Sequence, residues 1–525
     1  MHKTRLLSVE EGFTLRPILP YSRLHWKKLA QIYASCMASI PILLVGFWLA
    51  KNFSLLEIIL ITLISILIVF VLDSANSALG ADTGLPAAVL ASNCLGKSFS
   101  KIVVAAPLIL AGWGWFGIQL ALAIDSLLVA LGAEGLLTGP NGTLFLLLLG
   151  LSIGALFAFT PISRRLARSG LTNLSILFMS LFCIIILIVG IINLRSSGWN
   201  SFIDQVFPGN FKMPLSLGSA VIVGLCASQF VMISDYSRFC RRIFPDSVFV
   251  PLFGVTPIQA AFCMISAIVT LMTQFNPNFF SNLIQAGVPR LSFLLLFFSQ
   301  WNAARLVVIY SAGLAGASLI ENPSQRARKW ITILSVLGGT LLVGFGIKDF
   351  FVHFLVLQSM FFSPLGVLLF LDHFIVRKRN LTVSSRTNKK ALFSLVMGWS
   401  SCVLIFIYLP RCYAFLGSAF IAAAIYLFLN RNYLSSRGKS LECPALREKP
   451  KKNLQVILLL TSLLGLLGGT IFPITFTPPF GDLMVLFSSM LLAIVTIIYL
   501  SQTIGLAIED AKLRSDHTTL DGQRN

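Results

Sequence analysis

The stretch ASIP at residues 38–41 places a proline in the middle of a long apolar segment. Pro41 removes a backbone hydrogen-bond donor and leaves carbonyl groups unpaired one turn earlier. A counterpart, GLCASQ at residues 224–229, sets a glycine and two polar side chains at a similar depth five segments later. Either interruption alone is typical of ordinary packing in a membrane helix. Together, in corresponding positions, they predict two broken helices around a central binding site.

These two stretches belong to a series of fourteen apolar segments. Of the 525 residues, 56% are hydrophobic and 11% are charged, which indicates an all-α polytopic membrane protein. Each segment can form a helix of about 20 residues, the length that crosses a bilayer. The predicted spans are 28–50, 54–79, 102–132, 143–160, 171–193, 215–234, 248–272, 291–319, 330–347, 350–375, 391–410, 412–430, 453–476 and 482–505.

The net charge of +20 is distributed by loop. Most of the 40 Lys and Arg residues fall in alternate loops and in the two tails, as the positive-inside rule requires of cytoplasmic segments. The pattern therefore predicts a multi-pass protein of the cell membrane (inner or plasma) with both termini in the cytoplasm. The basic excess is explained by orientation in the bilayer and requires no nucleic-acid partner.

The third span contains the aromatic and polar stretch WGWFGIQ at residues 113–119. An unpaired amide such as that of Gln119 costs on the order of 2 to 7 kcal/mol in hydrocarbon, so it should face a partner or a ligand. Trp115 offers such a ligand a flat face. The alternative is that Trp115 is an ordinary membrane aromatic residue packed against glycine.

The sequence shows no arrangement of residues that is typical of a catalytic or metal site. The nine cysteines are scattered, mostly within spans and without a C-x-x-C pair, and are interpreted as small apolar residues. The five histidines show no H-E-x-x-H spacing. We therefore expect neither an enzyme nor a metal cofactor. Na⁺ or H⁺ as a coupling ion is the expected exception.

Four short motifs resemble those of the nucleobase-cation symporters, the permeases of cytosine, purines, hydantoin and allantoin. They are GADTGL at 80–85, WFGIQ at 115–119, SDYSRF at 234–239, and PLG at 364–366 followed by LDHF at 371–374. The resemblance extends from about residue 12 to about residue 430. It implies a leucine-transporter-like fold, an inverted repeat of five plus five spans, and alternating-access import of a planar heterocycle.

With this resemblance the chain divides into six regions. The ten-span core is expected at 28–375, with its repeats at about 28–193 and 215–375. The other regions are the cytoplasmic N-tail 1–27, peripheral spans 391–430, a basic linker 431–452, an extra hairpin 453–505 and the C-tail 506–525.

The resemblance also implies the residues of the substrate site. Trp115 would stack on the heterocycle, and Gln119 would form hydrogen bonds with its edge. The unwound part of the sixth span would add contacts from Cys226 and Ser228. Asn302 in the eighth span is the nearest candidate to complete the site.

The chain departs from the family at two of these places. Cys226 replaces an aromatic residue that would cover the second face of the ring. The stacking is then one-sided, or Phe230 or Trp113 supplies the other face. In the eighth span, SQWNAAR at 299–305 has Ser299 as its only hydroxyl, so the usual sodium site is in doubt.

Arg305 is a permanent cation inside a predicted span. An unpaired arginine there costs about 2.5 to 3.5 kcal/mol, so it requires a partner, and Asp73 and Asp125 are the available intramembrane acids. Three interpretations remain open. Arg305 replaces the sodium ion and makes transport sodium-independent, or it forms a structural ion pair with Asp73, or it holds an anionic substrate.

Asp235 and Arg238 lie about 10 Å or more beyond Ser228, at 1.5 Å per residue. We expect them, and Asp372 with His373, to close the inner end and not to touch substrate. The alternatives to a heterocycle permease are an amino-acid or other small-solute carrier of the same fold and a non-transporting membrane receptor or assembly protein. The sequence leaves the oligomeric state open.

Overall fold

The computed structural model describes residues 15–18, 22–137, 142–159, 170–197, 213–273, 278–303, 310–320, 325–379, 381, 387–410, 412–431 and 485. Within these residues the regular elements are helices, and an isolated bridge joins Leu24 to Cys240. Each of the first twelve predicted spans falls on a helix or a pair of helices. The linker and the C-tail lie outside the described residues, as do the last two predicted spans apart from Val485.

The main helices are numbered here in chain order. They are α1 Trp26–Met37, α2 Ile40–Asn52, α3 Leu55–Thr83, α4 Ala87–Leu95, α5 Lys97–Leu131, α6 Gly142–Phe159, α7 Gly170–Ser197, α8 Leu215–Ala227, α9 Gln229–Ser237, α10 Asp246–Gly254, α11 Thr256–Met272, α12 Phe279–Gln285, α13 Phe293–Ala303, α14 Tyr310–Leu319, α15 Gln325–Gly344, α16 Phe351–Leu371, α17 Lys389–Tyr408 and α18 Ala414–Leu429.

Long apolar helices make up most of the described chain. Seven of them are long and apolar enough to cross a membrane, and an eighth is added when the bent pair α1 and α2 is counted as one span. Four shorter apolar helices accompany them among the described residues. The protein is therefore an all-helical, multi-pass membrane protein.

The predicted break in the first span is confirmed. Helices α1 and α2 meet at an angle of 56°. Ser39 between them is extended, with φ −139° and ψ 153°. Pro41 lies in the first turn of α2, where a missing N–H costs no helical hydrogen bond. The proline therefore starts the second half-helix after the chain has turned.

The sixth span is interrupted far less than expected. Ser228 separates α8 from α9 but keeps a helical backbone, with φ −63° and ψ −26°. The backbone N–H of Met232 still donates to the Ser228 carbonyl at 3.0 Å. The expectation of an unwound segment here is wrong. Residues 224–229 contain no proline, so every residue of the turn keeps its hydrogen-bond donor.

Glycines bring the central helices into close contact. A side chain at Gly224 of α8 would meet the Leu355 carbonyl oxygen of α16 at 2.2 Å. The Phe354 ring of α16 lies directly over Gly114 of α5. On the other side of α5, the Trp113 ring covers Gly338 of α15. This small-residue packing fixes α5 between α15 and α16.

Candidate binding site at the first helix break

Trp115 lies where three parts of the fold meet. Its indole Nε1–H donates to Ser228 Oγ at 3.3 Å and to Gln358 Oε1 of α16 at 3.2 Å. The edge of the Phe354 ring meets it with centroids 5.4 Å apart and planes at 76°. Two hydrogen bonds and an edge contact therefore hold the indole in one orientation.

Four buried glutamines come from the helices around Trp115 and the break between α1 and α2. Each is at most 5% exposed. Gln119 follows Trp115 by one turn of α5, and Gln229 follows Ser228 directly. They are Gln119, Gln229, Gln300 and Gln358. Buried amides are costly unless paired, so their hydrogen bonds decide what this region can bind.

The protein satisfies one end of three of these amides. The Ile40 N–H at the start of α2 donates to Gln300 Oε1 at 3.0 Å, and Trp115 donates to Gln358 Oε1. Both donors are N–H groups that cannot accept, so they fix which end of each amide is oxygen. Gln229 Nε2 donates to the Met37 sulfur at 3.8 Å.

The other ends of the amides have no hydrogen-bond partner within the described part of the chain. Two are acceptors, Gln119 Oε1 and Gln229 Oε1, and two are donors, Gln300 Nε2 and Gln358 Nε2. The region around Trp115 and the first break therefore contains two unpaired hydrogen-bond acceptors and two unpaired donors that a ligand could pair.

Cys226 faces a different direction from Ser228. Its thiol donates to Gln259 Oε1 of α11 at 3.2 Å and lies 3.9 Å from the Met37 sulfur. Of the two residues expected as a second aromatic face, Phe230 packs against Gly366 and Trp113 covers Gly338. The aromatic residue that the structure brings to Trp115 is Phe354.

The residues expected to handle an ion are spread out. Ser299 Oγ donates to the Leu296 carbonyl of its own helix at 2.8 Å. Both carboxylate oxygens of the fully buried Asp73 have no partner among the described residues. Asp125 forms an ion pair with Lys348 at 3.0 Å. Arg305 and the Asn302 side chain lie outside the described residues.

A separate polar network closes one end of the helix bundle. Asp235 accepts from the Ala87 N–H at 2.8 Å, while Arg238 donates to the Tyr310 hydroxyl at 2.7 Å. His373 Nε2 lies 2.8 Å from Asp82, which also pairs with Arg379. Because arginines are concentrated here, we name this region the basic end.

The segment before α1 seals the basic end. Ile18 N–H donates to the Gly84 carbonyl at 3.0 Å, and the Leu24 N–H donates to the Phe239 carbonyl at 2.6 Å. Arg23 donates to the Ala81 carbonyl at 2.7 Å. Burial raises the pKa of the Cys240 thiol well above its usual range at this seal. The chain is therefore cross-linked by hydrogen bonds across α3 and α9.

The part of the chain that the structure describes contains no group of three or more His, Cys, Asp or Glu side chains that could hold a metal ion. The eight cysteines within it are buried and form no disulfide bond there.

The sequence argument applied to Gln119 could have found the other glutamines. Gln229, Gln300 and Gln358 are likewise amides inside predicted apolar spans. Phe354 had no such signal, because a phenylalanine in an apolar segment is ordinary.

The fold is that of a multi-pass helical membrane protein with a buried polar region, and comparisons with known proteins specify the family. The sequence profile described as "Permease for cytosine/purines, uracil, thiamine, allantoin" matches residues 22–420. The chain belongs to this family. No curated protein sequence matches it.

Solved structures show the same fold. Mhp1, a nucleobase-cation-symport-1 family transporter, in a closed conformation with bromovinylhydantoin bound, is similar with a TM-score of 0.62 and 17% identity. That match covers 81% of this chain and 96% of Mhp1. The inward-facing conformation of Mhp1 gives a TM-score of 0.61 at 17% identity, covering 81% and 97%. These likenesses establish the fold.

Proposed function

We propose that this permease imports a nucleobase or a related planar heterocycle, such as cytosine, a purine, allantoin or hydantoin, by cation-coupled alternating access. The observation that carries the proposal is the set of four unpartnered amide atoms around Trp115 and the first helix break, with Gln358 bonded directly to the indole. Heterocycles of this class carry N–H donors and C=O acceptors around a flat ring. Such a ring can satisfy both kinds of amide atom while it stacks on the indole.

Trp115, Gln119, Ser228 and Asn302 are the proposed substrate contacts. Trp115 stacks on the ring, and Gln119 Oε1 accepts from a ring N–H. Ser228 already accepts from the Trp115 indole, so it also holds the stacking residue in place. Cys226 stays in the proposed site as a neighbour of the break, because its thiol lies against Met37 at the end of α1.

The proposed movement uses the inverted repeat, with halves at about 28–193 and 215–375. Matching contacts in the two halves support it. Helix α1 packs on α7, as α8 packs on α16, and α2 packs on α11, as α9 packs on α3. Residues 391–430 then form peripheral spans, and 453–505 form an additional hairpin.

We also propose that the basic end faces the cytoplasm and that both termini lie there. The support is its charge. Arg23, Arg238, Arg241, Arg377 and Arg379 all lie at this end. Such a concentration is typical of cytoplasmic segments.

Arg305 keeps its proposed role as a substitute for sodium near the first break, and Asp73 and Ser299 keep their proposed roles as ion-coupling residues. The scarcity of hydroxyl groups in residues 299–305, where Ser299 is the only one, supports sodium independence, since sodium requires several oxygen ligands. Sodium-independent uptake that is abolished by Arg305→Gln is the expected result. Sodium-driven uptake by the natural chain would contradict this role.

Uptake by cells expressing the chain tests the proposed function. Radiolabelled cytosine, uracil, adenine, hypoxanthine, allantoin and hydantoin are supplied with and without sodium. We expect saturable uptake of at least one compound, lost in Trp115→Ala and retained in the control Trp113→Phe, whose indole N–H has no partner among the described residues. No uptake of any compound, or full uptake by Trp115→Ala, would overturn the proposal. Binding without accumulation would indicate a receptor.

A further inference from the structure

Asp73 differs from the other buried acids of the described helices. It lies in the interior of α3 with no exposed surface. Neither of its carboxylate oxygens has a hydrogen-bond partner among the described residues. By contrast, Asp82, Asp125, Asp235 and Asp372 all have partners.

The surroundings of Asp73 are neutral in the described structure. Of the elements packed against α3, helix α1 brings the Tyr33 hydroxyl and α8 brings the Cys226 thiol close enough to interact electrostatically with Asp73. The Tyr33 hydroxyl donates a hydrogen bond to the Ile233 carbonyl, and the Cys226 thiol donates one to Gln259. Lys, Arg and His side chains are not among its described electrostatic neighbours. A charged Asp73 would therefore find no compensating contact there.

Physical cost decides the state of this carboxyl group. An ionised carboxylate buried without a partner is far more costly than a neutral acid, so protonation of this group is favoured while it stays buried. In the described region no hydroxyl or amide forms a hydrogen bond with the carboxylate. The acid therefore lacks the polar contacts that would stabilise its ionised form.

The position of Asp73 links it to both interrupted spans. Tyr33 belongs to α1, which ends at the first break, and Cys226 lies two residues before Ser228. The Cys226 thiol also touches Met37, the last residue of α1. Movement of α1 or α8 therefore changes the environment of Asp73 directly.

We propose that Asp73 is the proton-binding group that couples transport to the proton gradient. This inference rests on the proposed function, which it deepens by naming the coupling ion and its carrier. In each cycle the carboxylate takes one proton from water on one side when α1 opens the site to that side. The buried acid holds the proton in the closed form and releases it to water on the other side.

Proteoliposomes containing the purified full-length chain test this proposal. The probe is the radiolabelled compound that the cell uptake assay above identifies as transported; the six compounds of that assay are called the panel here. Counterflow exchange, with the compound on both sides, measures binding and movement of the site. Uphill accumulation under an imposed proton gradient, without sodium, measures coupling. One pH unit supports about ten-fold accumulation for one coupled proton.

The variant is Asp73→Asn, and the matched control is Asp125→Asn, which removes the other intramembrane acid of the sequence analysis. We expect the natural chain and the control to accumulate the compound. Asp73→Asn is expected to retain exchange but to lose accumulation down to the level without a gradient. If Asp73→Asn does not reconstitute, Asp73→Glu decides, with coupling retained and its pH dependence displaced.

Several results would overturn the proposal. These are accumulation by Asp73→Asn that still follows the proton gradient, accumulation that follows only a sodium gradient, and an Asp73→Glu pH profile identical to the natural one. Equal loss of exchange in Asp73→Asn and Arg305→Gln would show a structural pair instead. Exchange by the natural chain without any response to protons would overturn the coupling inference alone. Absence of exchange with every panel compound would overturn the proposed function itself.

Discussion

The region around the first helix break and the basic end treat their buried acids in opposite ways. Around the break, four glutamines and Asp73 keep polar atoms without partners among the described residues. At the basic end, Asp82, Asp235 and Asp372 are all paired with arginines, His373 or backbone N–H groups. The region around the break has unpaired polar atoms that a ligand could pair, whereas the basic end is closed by contacts within the protein.

The difference follows from the cost of burying polar groups. A buried donor or acceptor left unpaired costs about 1 to 3 kcal/mol, so folded proteins retain few of them. A concentration of such atoms beside a fixed indole is therefore expected where a ligand will pair them. A paired network stabilises one conformation and must be broken for that end to open.

The largest expected effect concerns the amide that supports Trp115. Gln358→Leu removes one of the two acceptors of the indole N–H and a free donor, so we expect affinity for the transported compound to fall about ten-fold or more. Equilibrium binding to purified protein measures it.

Gln259→Leu is the control for this change. Gln259 is equally buried, but both ends of its amide are bonded, to Cys226 and to the Ile222 carbonyl. It should lower the thermal unfolding temperature and leave affinity unchanged. Equal loss of affinity in both variants would remove the distinction between unpartnered and partnered amides.

A smaller effect is expected from loosening the basic end. Asp82→Asn removes the carboxylate shared by His373 and Arg379, so this end should open more often. Opening lets water reach Cys240 and reverses the burial that raises its pKa, so more reactive thiolate forms at neutral pH. Maleimide labelling of Cys240, followed by mass spectrometry, should become several-fold faster.

Glu134→Gln provides the control for the basic end. It breaks the ion pair with Arg290, which joins other loops of the bundle, and should leave Cys240 labelling unchanged. Unchanged labelling in Asp82→Asn would mean that the paired network does not hold this end closed.

The smallest effect is expected from Ser299→Ala. Its hydroxyl bonds to a carbonyl of its own helix, so we expect less than about a two-fold change in uptake. Sodium-dependent uptake that disappears in this variant would restore a sodium site in the eighth span. The ion-handling contrast between Ser299 and Asp73 would then be lost.

The sequence predicted the helices and the first break well because both follow from local chemistry. Long apolar segments must form helices in a bilayer, and Pro41 cannot continue one. The same reasoning overestimated the interruption of the sixth span, because Gly224 allows close packing on Leu355 and does not unwind the helix.

Contacts between segments that are distant in sequence could not be predicted from local sequence patterns. The sequence offers Asp125 as one of two intramembrane acids available to Arg305, but Asp125 pairs with Lys348, which lies 223 residues away in sequence. Trp115 and Gln119 were identifiable because aromatic and amide groups are unusual in an apolar span. The hydrogen bond from the indole to Gln358 depends on how α16 packs against α5, and one sequence does not reveal that packing.

The central claim is that the unpartnered amide atoms form hydrogen bonds with the polar edge of a planar ring that stacks on Trp115. Competition binding to the purified chain tests it most directly, with the panel compound set against forms methylated at single ring nitrogens. We predict that methylation at a nitrogen facing Gln119 or Gln229 weakens binding about ten-fold, because a buried acceptor loses its donor. Equal affinity for the parent compound and all of its methylated forms would contradict the account.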